Sequence, residues 1–279
     1  MYDNYITYLF GNQASMNTIK AYRKAIEDML SYVNKSETEI TYEDLVNWKC
    51  SIAHYSSASM AQKIAAVKDY FKYLHIAHII DENPALYLKT VRVKNAEKTP
   101  LSGEQIRAMI NATNVMRNKA IIMTLATTCM RISELNSITL YQYQHRINDS
   151  IIITGKGDKE RRIKFDPETI SYIDAYLETR KNTNCDLLFV SNHGTKMNPQ
   201  CTADMLKMCA KKAGIENWQD MHICNHLMRT SGATIKYHNG VDIEVLQNIL
   251  GHSNIDTTIK HYVKNINDKA MDVMSVAGF

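Results

Sequence analysis

Residues that interrupt or crosslink a chain are scarce in this sequence. Of its 279 residues, only 10 are glycine and 4 are proline, which excludes a collagen-like or low-complexity chain. The 6 cysteines form no CxxC pair. A chain of this length without a signal-peptide pattern is not expected to depend on disulfides. We therefore expect a cytoplasmic protein in a reducing compartment.

Long apolar runs and a strong charge excess are also absent. The most apolar stretch, residues 120–130, is shorter than the roughly 18 residues that a membrane-spanning helix needs, so no membrane partner is expected. The 33 basic and 29 acidic residues leave a net charge of +4, which permits a nucleic-acid partner without requiring one. The length predicts two domains or one large domain.

Helical periodicity dominates the first 90 residues or so. Apolar residues recur with a period near 3.6 in residues 17–33 and 59–76, which predicts helices there. Thr41 and Asp44 form a capping pattern that opens another helix. The short segment before Pro100 has no such period and few apolar residues. These features predict a helical first domain at residues 1–92, a linker at residues 93–100 and a second domain at residues 101–279.

The second domain combines further helices with one clear β signal. A β-branched run at residues 150–154, a glycine-containing turn and a return at residues 161–165 predict an antiparallel hairpin. The fold class is therefore mainly α, with a small antiparallel β-sheet in this domain. Further helices are predicted from Ser102 and at residues 120–126, 166–180, 200–213, 226–237, 242–250 and 256–263.

Two pairs of polar residues in this domain have the helical i, i+3 spacing. His226 and Arg229 would share one face near a helix N-terminus, which suits a phosphate. Arg131 and Glu134 have opposite charges, and Arg131 follows an apolar helix, so that it needs more than one partner if it is buried. Taken alone, each pair is also typical of a surface arginine, a partly buried histidine or a helical ion pair.

Two other patterns are not expected to bind a cofactor. The G-K-G stretch around Lys156 is not a P-loop, because Ser150 occupies the position of that motif's first glycine; alone, it indicates a hairpin turn. His222 and His226 have a spacing that suits metal ligands, but no HExxH or CxxC pattern accompanies them. We expect no metal and no cofactor.

The candidate residues of the second domain together suit phosphate chemistry. Two arginines and a lysine can neutralise a phosphate, histidines can move protons, and a tyrosine hydroxyl can act as a nucleophile. The sequence contains no carboxylate cluster suited to magnesium. The set is compatible with metal-free transesterification. Its members are Arg131, Lys156, His226, Arg229, His252 and Tyr262.

Four stretches of the second domain resemble the tyrosine recombinases of the phage integrase family, in the order of that family. They are T-T-C-M-R-I-S-E-L (127–135), I-I-T-G-K-G-D-K-E-R-R-I (152–163), H-L-M-R-T-S-G-A-T (226–234) and L-G-H-S-N-I-D-T-T-I-K-H-Y (250–262). The N-terminal helices are similar to the family's SAM-like core-binding domain. The resemblance implies a two-domain clamp around duplex DNA, in which residues 101–279 form the catalytic domain.

The resemblance also implies a role for each residue around the scissile phosphate. Arg131 and Arg229 would clamp the phosphate. His226 and His252 would form hydrogen bonds to it and assist proton transfer. Glu134 would orient these groups without touching the substrate.

The reaction implied by the resemblance is site-specific DNA strand exchange. Tyr262 would attack the phosphate and form a 3′-phosphotyrosyl link, while Lys156 would protonate the leaving 5′ oxygen. The ester stores the bond energy, so religation would need neither ATP nor a metal. The favoured biological task is integration or excision of a mobile element, and resolution of replicon dimers stays open as the other task. The alternatives are DNA relaxation of the type IB topoisomerase kind and a non-cleaving DNA-binding or architectural factor.

The expected partners are double-stranded recombination sites and further copies of this chain. The resemblance implies a tetramer on DNA, held together by a helical tail at about residues 264–279 that docks on a neighbouring protomer. Basic residues on three predicted helices are candidates for phosphate contacts, although solvated helix faces have the same composition. These residues are Lys20, Arg23, Lys24, Lys63, Lys68, Lys72, Lys207, Lys211 and Lys212.

Overall fold

The computed structural model describes residues 2–93, 99–155, 159–181 and 183–251. The chain divides into two compact units, Met1–Glu97 and Lys98–Phe279. Among the described residues, no helix has the length and apolar character that crossing a membrane requires.

The first unit consists of helices. They are α1 (Tyr2–Gly11), α2 (Met16–Val33), α3 (Tyr42–Ser51) and α4 (Ser57–Ile76). The three helices predicted here are confirmed, and the capping box that starts α3 forms between Thr41 and Asp44. Helix α1 is not predicted by periodicity, because Tyr5 and Leu9 are the only buried residues among those of its positions whose side chains are described, too few for an apolar stripe.

Aromatic side chains fill the core of the first unit. Trp48, Tyr70 and Phe71 are almost completely buried, and the rings of Tyr5 and Tyr70 meet edge-on with their centroids 5.0 Å apart. The Tyr5 hydroxyl donates a hydrogen bond to Asp69 at 2.7 Å. Burial and this neighbouring carboxylate raise the pKa of Tyr5, which keeps the buried phenol neutral.

In its described residues the second unit is helical with one antiparallel hairpin, so the predicted fold class is confirmed. Its strands pair in a register that places Ile151 opposite Ile163 and Ile153 opposite Arg161. The helix predicted at residues 120–126 is longer at both ends, and the helix predicted at residues 256–263 lies outside the described residues. The elements are α5 (Gly103–Asn111), α6 (Met116–Thr128), α7 (Ile132–Leu135), α8 (Leu140–Gln144), β1 (Ser150–Thr154), β2 (Glu160–Lys164), α9 (Pro167–Thr179), α10 (Pro199–Lys212), α11 (Asn225–His238) and α12 (Ile243–Leu250).

Helices α6 and α11 cross at Gly232 with their backbones in close approach. A Cβ atom at this position would lie 1.9 Å from the carbonyl oxygen of Ala126, so only glycine permits the crossing. The hydroxyl of Ser231 accepts a hydrogen bond from the backbone N–H of Leu101 at 2.8 Å. This packing brings Arg229, one turn earlier on α11, to the C-terminal end of α6.

Candidate active site

A buried carboxylate lies at the centre of the candidate site. Glu134 is only 3% exposed, and its two oxygens accept hydrogen bonds from two arginines. Arg161 binds both oxygens, with Nη1 at 2.6 Å and Nη2 at 2.8 Å. Arg131 contributes its backbone N–H at 2.6 Å and Nη1 at 3.1 Å. The Nη1 atom of a third arginine, Arg229, lies 3.9 Å from Glu134 Oε2.

The turn after α6 aims Arg131 at this carboxylate. Helix α6 ends at Thr128, and Cys129 adopts the left-handed backbone conformation with φ 54°, which reverses the chain as helix C-caps do. Arg131 then precedes the short helix α7, and Glu134 lies three residues later. Part of a capping box therefore forms here, because the Glu134 carboxylate accepts the backbone N–H of Arg131.

Arg229 is buried, so the interpretation of it as a surface arginine is wrong. It is 2% exposed, and its Nη1 donates to the carbonyl oxygen of Cys129 at 2.9 Å. Its Nη2 donates to the carbonyl oxygen of Leu250. The guanidinium therefore joins the ends of α6 and α12, whose last carbonyls lack partners within their own helices.

The cluster has more positive than negative charge. Within the described part of the chain, three guanidinium groups surround one carboxylate, which gives these four side chains together two more positive than negative charges. Burial disfavours the charged form of Glu134, but hydrogen bonds from Arg161 and from the Arg131 backbone outweigh it, and the pKa of this carboxyl is lowered. Arg131 is the accessible member, with its side chain 32% exposed. This arrangement suits an anion that binds beside Arg131.

His226 lies on the first turn of α11 and is exposed. It is three residues before Arg229 on the same helix, as the spacing predicts. His222 precedes the helix, which begins at Asn225, and has a left-handed backbone with φ 48°. The two histidines therefore do not share a helix face. Among the described residues, no group of His, Cys, Asp and Glu is arranged to hold a metal ion.

Three of the predicted catalytic residues, Lys156, His252 and Tyr262, lie outside the described residues. The described chain next to two of them borders the cluster. A Cβ atom on Gly155 would lie 3.2 Å from Glu134 Oε1, and one on Gly251 would lie 3.4 Å from Arg161.

Arg161 is not among the residues predicted from the motifs, although the sequence contains a signal for it. Inward-facing and outward-facing residues alternate along β2. Arg161 is two residues before the buried Ile163 and therefore lies on the same, inward face of the strand. Its side chain is only 11% exposed. A charged residue at an inward position of a strand requires a buried partner of opposite charge, which is Glu134.

Several of the candidate DNA-contacting residues have partners within the protein. Lys63 forms an ion pair with Asp28 at 2.5 Å, and Lys68 donates to the carbonyl oxygen of Leu88 at 3.0 Å. Arg23 pairs with Glu27, and Lys207 lies 3.5 Å from Asp204. The exposed members of the set are Lys20, Arg23, Lys24, Lys72, Lys211 and Lys212.

Comparison with known proteins identifies the family. The model of the phage integrase family matches residues 100–268, and that of the phage integrase N-terminal SAM-like domain matches residues 2–78. The chain belongs to the phage integrase family. The predicted family is therefore confirmed, and all four motif stretches lie within the first of these matches.

The curated relatives of this phage integrase family member include tyrosine recombinases. Tyrosine recombinase XerD of Halalkalibacterium halodurans is 29% identical over 261 residues, which cover 88% of this chain and 86% of the relative. Tyrosine recombinase XerA of Pyrococcus horikoshii is 28% identical over 261 residues, which cover 92% and 86%. These matches extend over both predicted domains, and they confirm the expectation of an enzyme of the site-specific recombinase class.

Solved structures of the family share the fold. The crystal structure of XerA recombinase matches with 28% identity and a TM-score of 0.56, covering 100% of this chain and 98% of that one. A lambda integrase dimer bound to a COC′ core site matches with 12% identity and a TM-score of 0.76, covering 93% of each chain. The Tn1549 transposon integrase in complex with a circular intermediate DNA matches with 19% identity and a TM-score of 0.74, covering 99% of each.

Proposed function

We propose that this protein exchanges DNA strands at specific duplex sites, with Tyr262 as the nucleophile. The observation that carries the proposal is the cluster in which Arg131, Arg161 and Arg229 surround the single carboxylate of Glu134. A phosphodiester gains negative charge as a nucleophile adds to phosphorus. Preformed positive charge in a site with little water stabilises that transition state.

In the proposed reaction, the Tyr262 hydroxyl oxygen attacks the scissile phosphorus and the bond to the 5′ oxygen breaks. Lys156 gives a proton to the leaving 5′ oxygen, while Arg131 and Arg229 hold the phosphate. His226 and His252 form hydrogen bonds to the phosphate oxygens and assist proton transfer. The 5′ hydroxyl of a second strand then attacks the 3′-phosphotyrosyl ester and releases Tyr262. The number of ester bonds is unchanged, so the exchange needs neither ATP nor a metal.

The test uses nicked suicide DNA substrates with candidate sites, incubated without metal or ATP and analysed on a denaturing gel. The wild-type protein is expected to form a covalent DNA adduct that Tyr262→Phe cannot form. Tyr141→Phe is the matched control, since Tyr141 is 67% exposed and lies in the same unit. An adduct that persists in Tyr262→Phe, or no adduct on DNA that the wild-type protein binds, would contradict the proposal. Recombinant products distinguish strand exchange from topoisomerase-like relaxation.

We propose further that the two units clamp duplex DNA through exposed basic residues. The solved structures that share this fold include recombinases bound to DNA, which supports duplex DNA as the partner. Lys72 and Lys211 are exposed, and each would neutralise a phosphate. Replacing either with alanine should reduce the slope of log affinity against log salt by about 0.9. Lys35→Ala serves as the control, because Lys35 already pairs with Asp44 at 2.8 Å.

The proposed assembly is a tetramer on DNA, with the tail at about residues 264–279 docking in trans. Deleting residues 266–279 should weaken assembly on paired sites more than cleavage of a suicide substrate. Equal synapsis by the truncated protein would contradict this role. The proposed biological task is integration or excision of a mobile element. It predicts exchange between a circular donor and a separate target, rather than resolution of dimeric replicons alone.

A further inference from the structure

The geometry points to Arg161 as a positioning residue for the phosphate-binding arginines. All three nitrogen atoms of its guanidinium are engaged. Nη1 and Nη2 bind the two oxygens of Glu134 at 2.6 and 2.8 Å, and Nε donates to the carbonyl oxygen of Ile249 at 3.1 Å. No other residue type combines a bidentate carboxylate pair with a third donor in one plane. This inference rests on the proposed function.

The hairpin holds Arg161 in place. Ile151, Ile153 and Ile163 form the buried face of the hairpin, and Arg161 lies opposite Ile153 on that same face. The stem of the side chain is therefore fixed by packing, and only the guanidinium reaches beyond the apolar face. A side chain supported in this way loses little further freedom when it binds its partners.

Arg161 determines which atoms of Arg131 remain available. Because Arg161 occupies both oxygens of Glu134 with short bonds, the guanidinium of Arg131 contacts the carboxylate through Nη1 alone, at 3.1 Å, beside the bond from the Arg131 backbone N–H. Within the described part of the chain, no hydrogen bond joins Nε or Nη2 of Arg131 to another residue. Without Arg161, Glu134 would have room to pair with both nitrogens of the Arg131 fork, and the fork would turn away from the phosphate.

Arg161 also connects the cluster to α12. The last carbonyl groups of this helix bind two guanidiniums, since Ile249 accepts from Arg161 and Leu250 accepts from Arg229. Positive charge at a helix C-terminus is favourable. One side chain thus connects the hairpin, Glu134 and the end of α12. Its loss should shift the phosphate-binding arginines, which must be placed to within about 1 Å for full activity.

The experiment compares Arg161→Ala and Arg161→Lys with the wild-type protein and with Arg162→Ala. Arg162 is adjacent in sequence but exposed, and it faces the other side of the strand, opposite Ile152, which is 53% exposed. Arg162→Ala therefore removes the same charge without touching the cluster. The readouts are the single-turnover rate of adduct formation on saturated suicide DNA, the Kd for that DNA, and hydrogen exchange in α12.

Arg161→Ala should lower the cleavage rate by about 100-fold, the loss typical of a small misplacement of reacting groups, with little change in Kd. Arg161→Lys should be nearly as slow, because one ammonium cannot replace three donors in a plane. Added guanidinium ion should restore part of the activity of Arg161→Ala. Amides of α12 should exchange faster in both variants and remain unchanged in Arg162→Ala.

Unchanged exchange in α12, or a cleavage rate in folded, DNA-bound Arg161→Lys equal to that of an active wild-type protein, would overturn the inference. Absence of any adduct with the wild-type protein is a different result, because it would overturn the proposed function itself. Faster exchange in α12 with an undiminished cleavage rate would show a purely structural role and would also overturn the inference.

Discussion

A surface ion pair of the first unit differs from the buried charge cluster of the second unit. In the first unit Arg23 and Glu27 form an ion pair near the surface, with side chains 60% and 50% exposed. In the second unit three arginines share Glu134, which is 3% exposed. Exposed pairs contribute little to stability. A buried cluster of three arginines and one carboxylate is costly to assemble, so its composition is better explained by anion binding than by folding.

The largest effect should come from breaking the buried cluster with Glu134→Gln. The substitution keeps the shape of the side chain but removes the carboxylate that three guanidiniums share, so the free energy of unfolding should fall by about 3–5 kcal/mol. Denaturant unfolding measures it, with hydrogen exchange assigning the loss to the second unit. An effect below about 1 kcal/mol, the range of exposed pairs, would mean that the buried cluster stabilises the fold no more than an exposed ion pair does.

The same substitution has a predictable pH dependence. Because the pKa of Glu134 is lowered in the folded protein, its stabilising effect is fully present above the unfolded value of about 4.3 and is lost as the pH falls through the folded pKa. The stability difference between wild type and Glu134→Gln should therefore be constant near neutral pH and shrink in acid. A difference that grows as the pH falls would mean that Glu134 is not ionised in the folded protein.

A local test in the first unit should have an intermediate effect. Thr41→Ala removes the side chain that caps α3, where its Oγ1 accepts the backbone N–H of Asp44 at 3.3 Å. The loss should be about 1 kcal/mol, with faster exchange in the first turn of α3 and no change in DNA cleavage. Thr38→Ala in the preceding loop is a control outside the cap. A loss of cleavage on folded Thr41→Ala would link the cap to the reaction.

The smallest effect is expected at an exposed pair. Arg23→Ala removes the Nε donor that lies 2.9 Å from Glu27 Oε1 on the same helix, and the unfolding free energy should change by less than about 0.5 kcal/mol. Its effect should diminish further in high salt. A loss of about 2 kcal/mol or more, roughly twice the upper range of such pairs, would show that exposed charges also support the first unit.

Local features of the second unit are well predicted from the sequence. The hairpin and the helices predicted from Ser102 and from residue 166 are confirmed, because each depends on residues only a few positions apart. The helix that carries His226 and Arg229 is also confirmed. The four-residue spacing of His222 and His226 does not place the two side chains on one helix face, since α11 begins only at Asn225. Helical spacing has meaning only inside a helix.

The amino-acid sequence by itself determined the helices, the hairpin and the family motifs, because these depend on short-range periodicity, capping and residue type. Only the tertiary structure decided which groups meet. Arg161 reaches Glu134 from 27 positions away and Ile249 from 88, and Arg229 reaches the carbonyl oxygen of Cys129 from 100. The glycine crossing of α6 and α11 and the inward face of the hairpin bring these groups together. In this buried place three guanidiniums surround one carboxylate. No local pattern in the sequence specifies that arrangement.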